Sequence, residues 1–221
     1  MLFVGRESEI ARIEKALHGG RNIVLCGKYG IGRTALIREI ARRNRGWRFI
    51  YANFGDAGTT IATEILSQLT GRSAHALRNG CTARRLVRSV TTFAPPADVH
   101  RVVIVFDNIA KVTRPKLALI RSLRDPTRFA FAAIVEHFVR DEDLMRIRVA
   151  LDPAIVVALG ALNEETSTRF FANAAAEFDL PWSDSDVAGL ARTMHGYPLE
   201  MVRTVRAAQR RTREVRARNR R

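Results

Sequence analysis

Apolar positions along this chain recur with two different periods, and the switches between them outline its elements. From Glu7 to Leu17 they fall at Ile10, Ile13, Ala16 and Leu17, one face of a helix, and the Gly19-Gly20 pair ends it. NIVLCG, residues 22–27, is instead an unbroken apolar run, the pattern of a strand buried on both faces. TALIREIARR then returns to helical spacing with Ala35, Leu36, Ile40 and Ala41. Further strands are predicted at 48–54, 101–107, 129–135 and 153–159, with helices over 59–69, 82–93 and 114–123 and a break at Pro95-Pro96. Such alternation predicts an α/β fold, a parallel sheet flanked by helices.

Beyond residue 160 only helical patterns remain. Asn163 is placed to cap one helix, with Glu164 and Glu165 in its first turn, and Ser183 with Asp186 has capping-box spacing for the next. The expected organisation is an α/β core over residues 1–160, a small helical lid over 161–204 and a basic tail over 205–221. From Arg203 onward the chain holds nine arginines and one glutamate, and its apolar residues are too few for a core helix.

Charge sharpens the picture. With 37 Lys+Arg against 22 Asp+Glu the net charge is +15, which points to a polyanionic partner, nucleic acid before an acidic membrane. The tail reads as a phosphate-backbone binder or, in the plainer alternative, as a disordered charged terminus. A second cluster, Arg38, Arg42, Arg43, Arg45 and Arg48, is either a nucleic-acid face or the wet side of a helix. No aromatic residues interleave with these arginines, so base stacking is not indicated. The MLFVGRESEI opening lacks a signal peptide's pattern, and no run approaches the roughly 20 apolar residues of a membrane span, so a cytoplasmic protein without membrane contact is expected. Cys26 and Cys81 show no metal spacing, and neither do the five histidines.

The chemistry is carried by GKYGIGRT, residues 27–34. It keeps the spacing of the phosphate-binding pattern G-x-x-x-x-G-K-S/T through Gly27, Gly32 and Thr34, but Arg33 stands in the lysine position. Gly27, Lys28, Gly30, Ile31, Gly32, Arg33, Thr34 and Ala35 are therefore the candidate nucleotide-binding residues, with backbone amides and a helix N-terminus facing phosphate. Downstream, RVVIVFDN is an apolar strand ending in Asp107, and Thr34 with Asp107 is the candidate Mg²⁺ pair for ATP or ADP.

With these two motifs on the expected elements, the chain resembles P-loop NTPases of the AAA+ class, in the branch that joins STAND ATPases, origin-recognition ATPases and transposition helpers. FVGRESEIARIEKAL is similar to the segment that precedes the loop in those families, which implies that Gly5 and Arg6 border the base. HGYPLEMV is similar to their GxP motif, which implies that Pro198 meets the nucleotide. The resemblance further implies a trans-acting arginine, with Arg140, Arg146 and Arg148 as candidates, and a cis sensor, for which Arg203 is placed unless it simply begins the tail.

The departures bear on turnover. A guanidinium is longer and forked, so Arg33 cannot occupy a lysine's point. Asn108 follows Asp107 where hydrolytic members usually carry glutamate, and an amide can orient a water but cannot take its proton. Glu136, at the end of the 129–135 strand, is either the missing acid or a solvated strand-end residue; Asp107, Asn108 and Glu136 are the catalytic candidates. Lys28 stands at the position of the signature lysine of deviant loops, or is a surface lysine. The expected function is an ATP-binding, oligomeric, DNA-associated regulator, in its sharpest form a transposition helper acting with a transposase. Its alternatives are a nucleotide-dependent binding module with little hydrolysis and a STAND-like signalling or defence ATPase.

Overall fold

Each run that reads as a buried strand is one, and its burial explains why. The computed structural model describes residues 3–78, 82–96, 98–125, 127–136 and 139–218. Strands β1 (Asn22–Gly27), β2 (Trp47–Asn53), β3 (Arg101–Ile109), β4 (Phe129–Glu136) and β5 (Ala154–Leu159) form one parallel sheet in the order β2-β3-β4-β1-β5. Side chains alternate across it. From β3, Val102, Ile104 and Phe106 enter one core, while Val103 and Val105 enter the other.

The first core is closed by α3 (Gly58–Thr70), α5 (Ala83–Thr91), α6 (Arg114–Leu123) and α7 (Asp141–Ala150), with the short α4 (Ala74–Arg78) beside α3. The opposite face is covered by α1 (Glu7–His18) and α2 (Arg33–Arg43). A third cluster, built on Phe170, Phe171, Val187 and Met201, joins α8 (Glu164–Phe178), α9 (Asp184–Thr193) and α10 (Pro198–Arg218). Asn163 accepts from the Thr166 amide, and Ser183 with Asp186 forms a complete capping box, so both local helix-start signals are observed.

Three elements differ from the sequence expectation: the short α4, which no pattern announced, α7 and α10. Helix α7 carries three acids in its first turn, which suit the helix dipole, but Ile147 and Ala150 give it a thin buried stripe and hence a weak periodic signal. From Arg203 to Arg218 the chain continues helix α10 without a break, because Met201 and Val205 anchor its first turns in the lid cluster.

A tight turn joins lid and core. His195 and Gly196 have φ of 46° and 67°, and the Leu162 amide donates to the Gly196 carbonyl at 2.9 Å. A Cβ on Gly196 would lie 1.8 Å from the Leu162 carbonyl oxygen, so only glycine fits there. Among the described residues no helix is long and apolar enough to cross a membrane.

Candidate functional site

The loop from Gly27 to Gly32 leaves β1 at its C-terminal edge and turns into α2, where open parallel sheets place ligand crevices. Gly32 takes the N-cap position at φ 97° and contributes no capping side chain, and the first turn of α2 holds no acid. Its amides therefore point outward as an uncapped donor set, suited to an anion. Gly30, at φ 79°, is held from above: its carbonyl accepts from the Leu199 amide of α10 at 3.1 Å.

Thr34 and Asp107 meet beside this turn, the hydroxyl donating to Oδ2 at 3.0 Å. The other carboxylate oxygen accepts from the Asn108 amide at 2.8 Å. Asn108 adopts φ 59°, and the β3–β4 register shifts between Phe106 and Ile109, so the strand leaves its ladder where the carboxylate meets the cleft. The Asn108 side-chain amide donates to Asn53 Oδ1 at 3.3 Å, at the end of β2. Nearby, the Tyr51 hydroxyl is buried without a hydrogen-bond partner among the described residues; burial pushes its pKa up, Arg38 opposes, and the Asp107 charge adds a smaller push in the same direction as burial.

Arg33 is buried, 6% exposed, and spans the end of β4. One guanidinium nitrogen donates to the Val135 carbonyl, and the other to Glu136 Oε2 at 2.7 Å. The acid at the strand end is thus the counter-ion of the loop arginine rather than a solvated residue. Cys26, the half-buried thiol at the end of β1, has its pKa raised by burial, with Arg33 opposing.

Two clefts adjoin this centre. One is bounded by Tyr29, Thr34, Asp107, Glu136, Leu199 and Arg206. The other is apolar, with Phe3, Ile31, Leu162, Phe170 and Met201 in its wall. Gly32, Ala35, Pro198 and Val202 line both. The two share a wall at a helix N-terminus, which sets anion-binding amides beside an apolar surface.

The structure brings most of the sequence candidates to these clefts. Gly30, Gly32, Arg33, Thr34, Ala35, Asp107, Asn108, Glu136 and Pro198 line the polar one, and Ile31 the apolar one. Gly5 and Arg6 form a left-handed turn at φ 77° and 70°; Arg6 borders the apolar cleft, paired with Glu9 at 2.9 Å and donating to the Gly160 carbonyl. Lys28 is exposed and is not among the residues lining either cleft. Arg203 lies outside both, paired with Glu200 at 2.9 Å, while Arg206, three residues on, lines the polar cleft. Sequence reading missed Arg206, Tyr29 and Leu199; helical spacing from Pro198 was the signal for the arginine. Of the three trans candidates, Arg140 and Arg146 pair with acids of their own helix, whereas Arg148 is exposed with no ion pair among the described residues.

The donor set fits a magnesium nucleotide: a hydroxyl and a carboxylate already 3.0 Å apart, beside uncapped helix amides. Among the described residues no cluster of His, Cys, Asp and Glu suggests a different metal site.

The family model described as an AAA ATPase domain matches residues 2–135. No curated protein matches the sequence. Among solved structures, the Orc1 protein of Aeropyrum pernix in complex with DNA aligns over 96% of this chain and 61% of its own, at 17% identity and TM-score 0.69. Cdc6p from Pyrobaculum aerophilum aligns over 95% and 65%, at 15% identity and TM-score 0.65. A single-residue variant of RuvB from Thermotoga maritima aligns over 92% and 61%, at 16% identity and TM-score 0.60. At such identities the likeness is one of fold, and this chain spans less than two thirds of the length of each of them.

Proposed function

The chain belongs to the AAA ATPase domain family, and on that premise we propose that it binds ATP with Mg²⁺ between loop and lid and acts as an oligomeric, DNA-associated regulator. The observation that carries the reading is the Thr34–Asp107 contact at 3.0 Å, set at the mouth of an uncapped helix and beside an apolar cleft. Thr34 and Asp107 would hold the Mg²⁺, which when bound neutralises phosphate charge. The amides opening α2 bind phosphate, Arg206 covers the polar cleft from the lid, and the apolar cleft excludes water from the base.

Two observations favour little turnover. The Asn108 side chain, an amide bonded to Asn53, cannot accept a proton from an attacking water, and Glu136, the other acid lining the polar cleft, is committed to Arg33. Nucleotide occupancy, more than hydrolysis, is then the working signal.

DNA association is supported by the arginines of α10 beyond Arg206, namely Arg210, Arg211 and Arg213, all exposed. The matched Orc1 structure is itself a complex with DNA. Self-association is supported by α7, where Met145 and Val149 are 55% and 58% exposed one turn apart, next to the exposed Arg148. A transposition helper that directs a transposase is the narrowest form of this reading. Sedimentation with duplex DNA, with and without ATP, tests it together with phosphate release: ATP-dependent co-sedimentation with slow release is expected. Absence of ATP binding would end the reading.

A further inference from the structure

Between Glu64 and Asp98 the sequence contains no acidic residue but five arginines. Three of them, Arg84, Arg85 and Arg88, lie on helix α5. Its apolar side is committed to the core: Leu86 and Val90 are buried and Val87 packs against them. The opposite side opens on a shallow polar cleft, lined by the three arginines together with Thr82, Ser89 and Thr92.

This arrangement works against the helix that carries it. Arg84 and Arg88 are four residues apart and Arg85 and Arg88 three, spacings at which like charges repel on a helix surface. Arg84 and Arg85 also sit in the first turn, where a cation opposes the helix dipole, and no acid is present there to offset it. Elsewhere the fold settles such charges inside one helix: Arg42 and Arg43 pair with Glu39, Arg146 with Glu142 and Asp143, Arg203 with Glu200. On α5, among the described residues, Arg84, Arg85 and Arg88 form no ion pair. An anion in the cleft removes both penalties at once.

The donor chemistry identifies the anion. Guanidinium groups interleaved with hydroxyls over about three helical turns are the mixed set that contacts the sugar-phosphate backbone, and the set carries no base-reading amide or aromatic group. A lipid surface is a poorer fit, because the exposed large apolar residues among those described, Tyr29, Met145 and Val149, all lie off α5. We propose that the α5 face is a second DNA-backbone site, separate from the nucleotide cleft and from α10. It rests on the reading that the protein engages DNA and adds a surface that the reading did not include.

The test is a titration of labelled duplex DNA at several salt concentrations, comparing wild type with Arg84→Gln/Arg85→Gln/Arg88→Gln. Loss of three phosphate contacts is expected to flatten the log K against log salt slope by about 2 to 3 and to weaken binding on the order of 10- to 100-fold at low salt. The same variant is expected to melt no lower than wild type, since it relieves repulsion, and to bind ATP unchanged. A parallel Arg210→Gln/Arg211→Gln/Arg213→Gln variant separates the surfaces. If only that variant loses affinity while the α5 variant keeps wild-type affinity and slope, the proposal is overturned. A wild-type protein that binds no duplex at low salt overturns DNA association as a whole. Binding to phosphatidylserine vesicles in place of DNA, lost in the α5 variant, replaces DNA with a lipid surface.

Discussion

The Arg33 guanidinium and the Glu136 carboxylate, 103 residues apart in sequence, are joined at 2.7 Å, with only 6% and 12% of their side chains exposed. Glu136 therefore competes with any phosphate for the same cation. Glu136→Gln is expected to tighten ATP binding by about 10-fold, measured by titration calorimetry, because the competitor is gone. The unliganded variant should lose about 3 kcal/mol of stability, since a buried guanidinium is left without its counter-ion, and saturating ATP should restore part of that loss. Weaker ATP binding by the variant would mean instead that Glu136 holds Arg33 in place for phosphate.

Thr34 and Asp107 share one hydrogen bond and would share one metal. Thr34→Val is expected to cost about 1 kcal/mol in thermal stability through the lost bond. It should also abolish the gain in ATP affinity that Mg²⁺ gives over EDTA, and Asp107→Ala should do the same. A variant that retained the full Mg²⁺ effect would remove these two side chains from the metal site.

Arg206 and Arg203 sit three residues apart on α10 with opposite surroundings, one lining the cleft and the other paired with Glu200. Arg206→Gln should weaken ATP about 10-fold, the worth of one charge-assisted hydrogen bond. Arg203→Gln should leave ATP affinity within about twofold, in line with the small worth of exposed ion pairs. The reverse order, read from a fluorescent ATP analogue, would exchange their roles.

Glu39 sets part of the acid limit. Hydrogen bonds from Arg42, and then from Arg43, outweigh burial and pull its carboxyl from 4.5 down to about 2. A depressed folded value means stabilisation that is complete above pH 4.5 and is lost as pH falls through about 2. With both guanidinium groups reached by solvent, the contribution is about 1 kcal/mol. Glu39→Gln should be less stable by that amount at pH 7 and should lose part of the acid-side slope in denaturation curves between those two pH values.

The five strands were legible because each is a short apolar run closed by a turn, and the helix caps at Asn163 and Ser183 because capping is settled within four residues. Strand order is not such a property: β1 lies between β4 and β5, a choice made by packing across the whole sheet. Asp107 and Thr34 were found by motif spacing, yet the partner of Arg33 came from a strand more than a hundred residues away. The choice between Arg203 and Arg206 depends on the rotation of α10, which the Leu199–Gly30 bond and the burial of Met201 and Val205 fix. Local chemistry was readable; tertiary rotation was not.

Helix α10 touches the phosphate loop at its first turn through Leu199, and its 21 residues continue without a break toward Arg213 and beyond. Such a rod is about 30 Å long, so a tilt of about 10° at the loop carries its far end roughly 5 Å. The loop and the distant arginines are thus opposite ends of one lever, and a small displacement at Gly30 is magnified before it reaches the basic end.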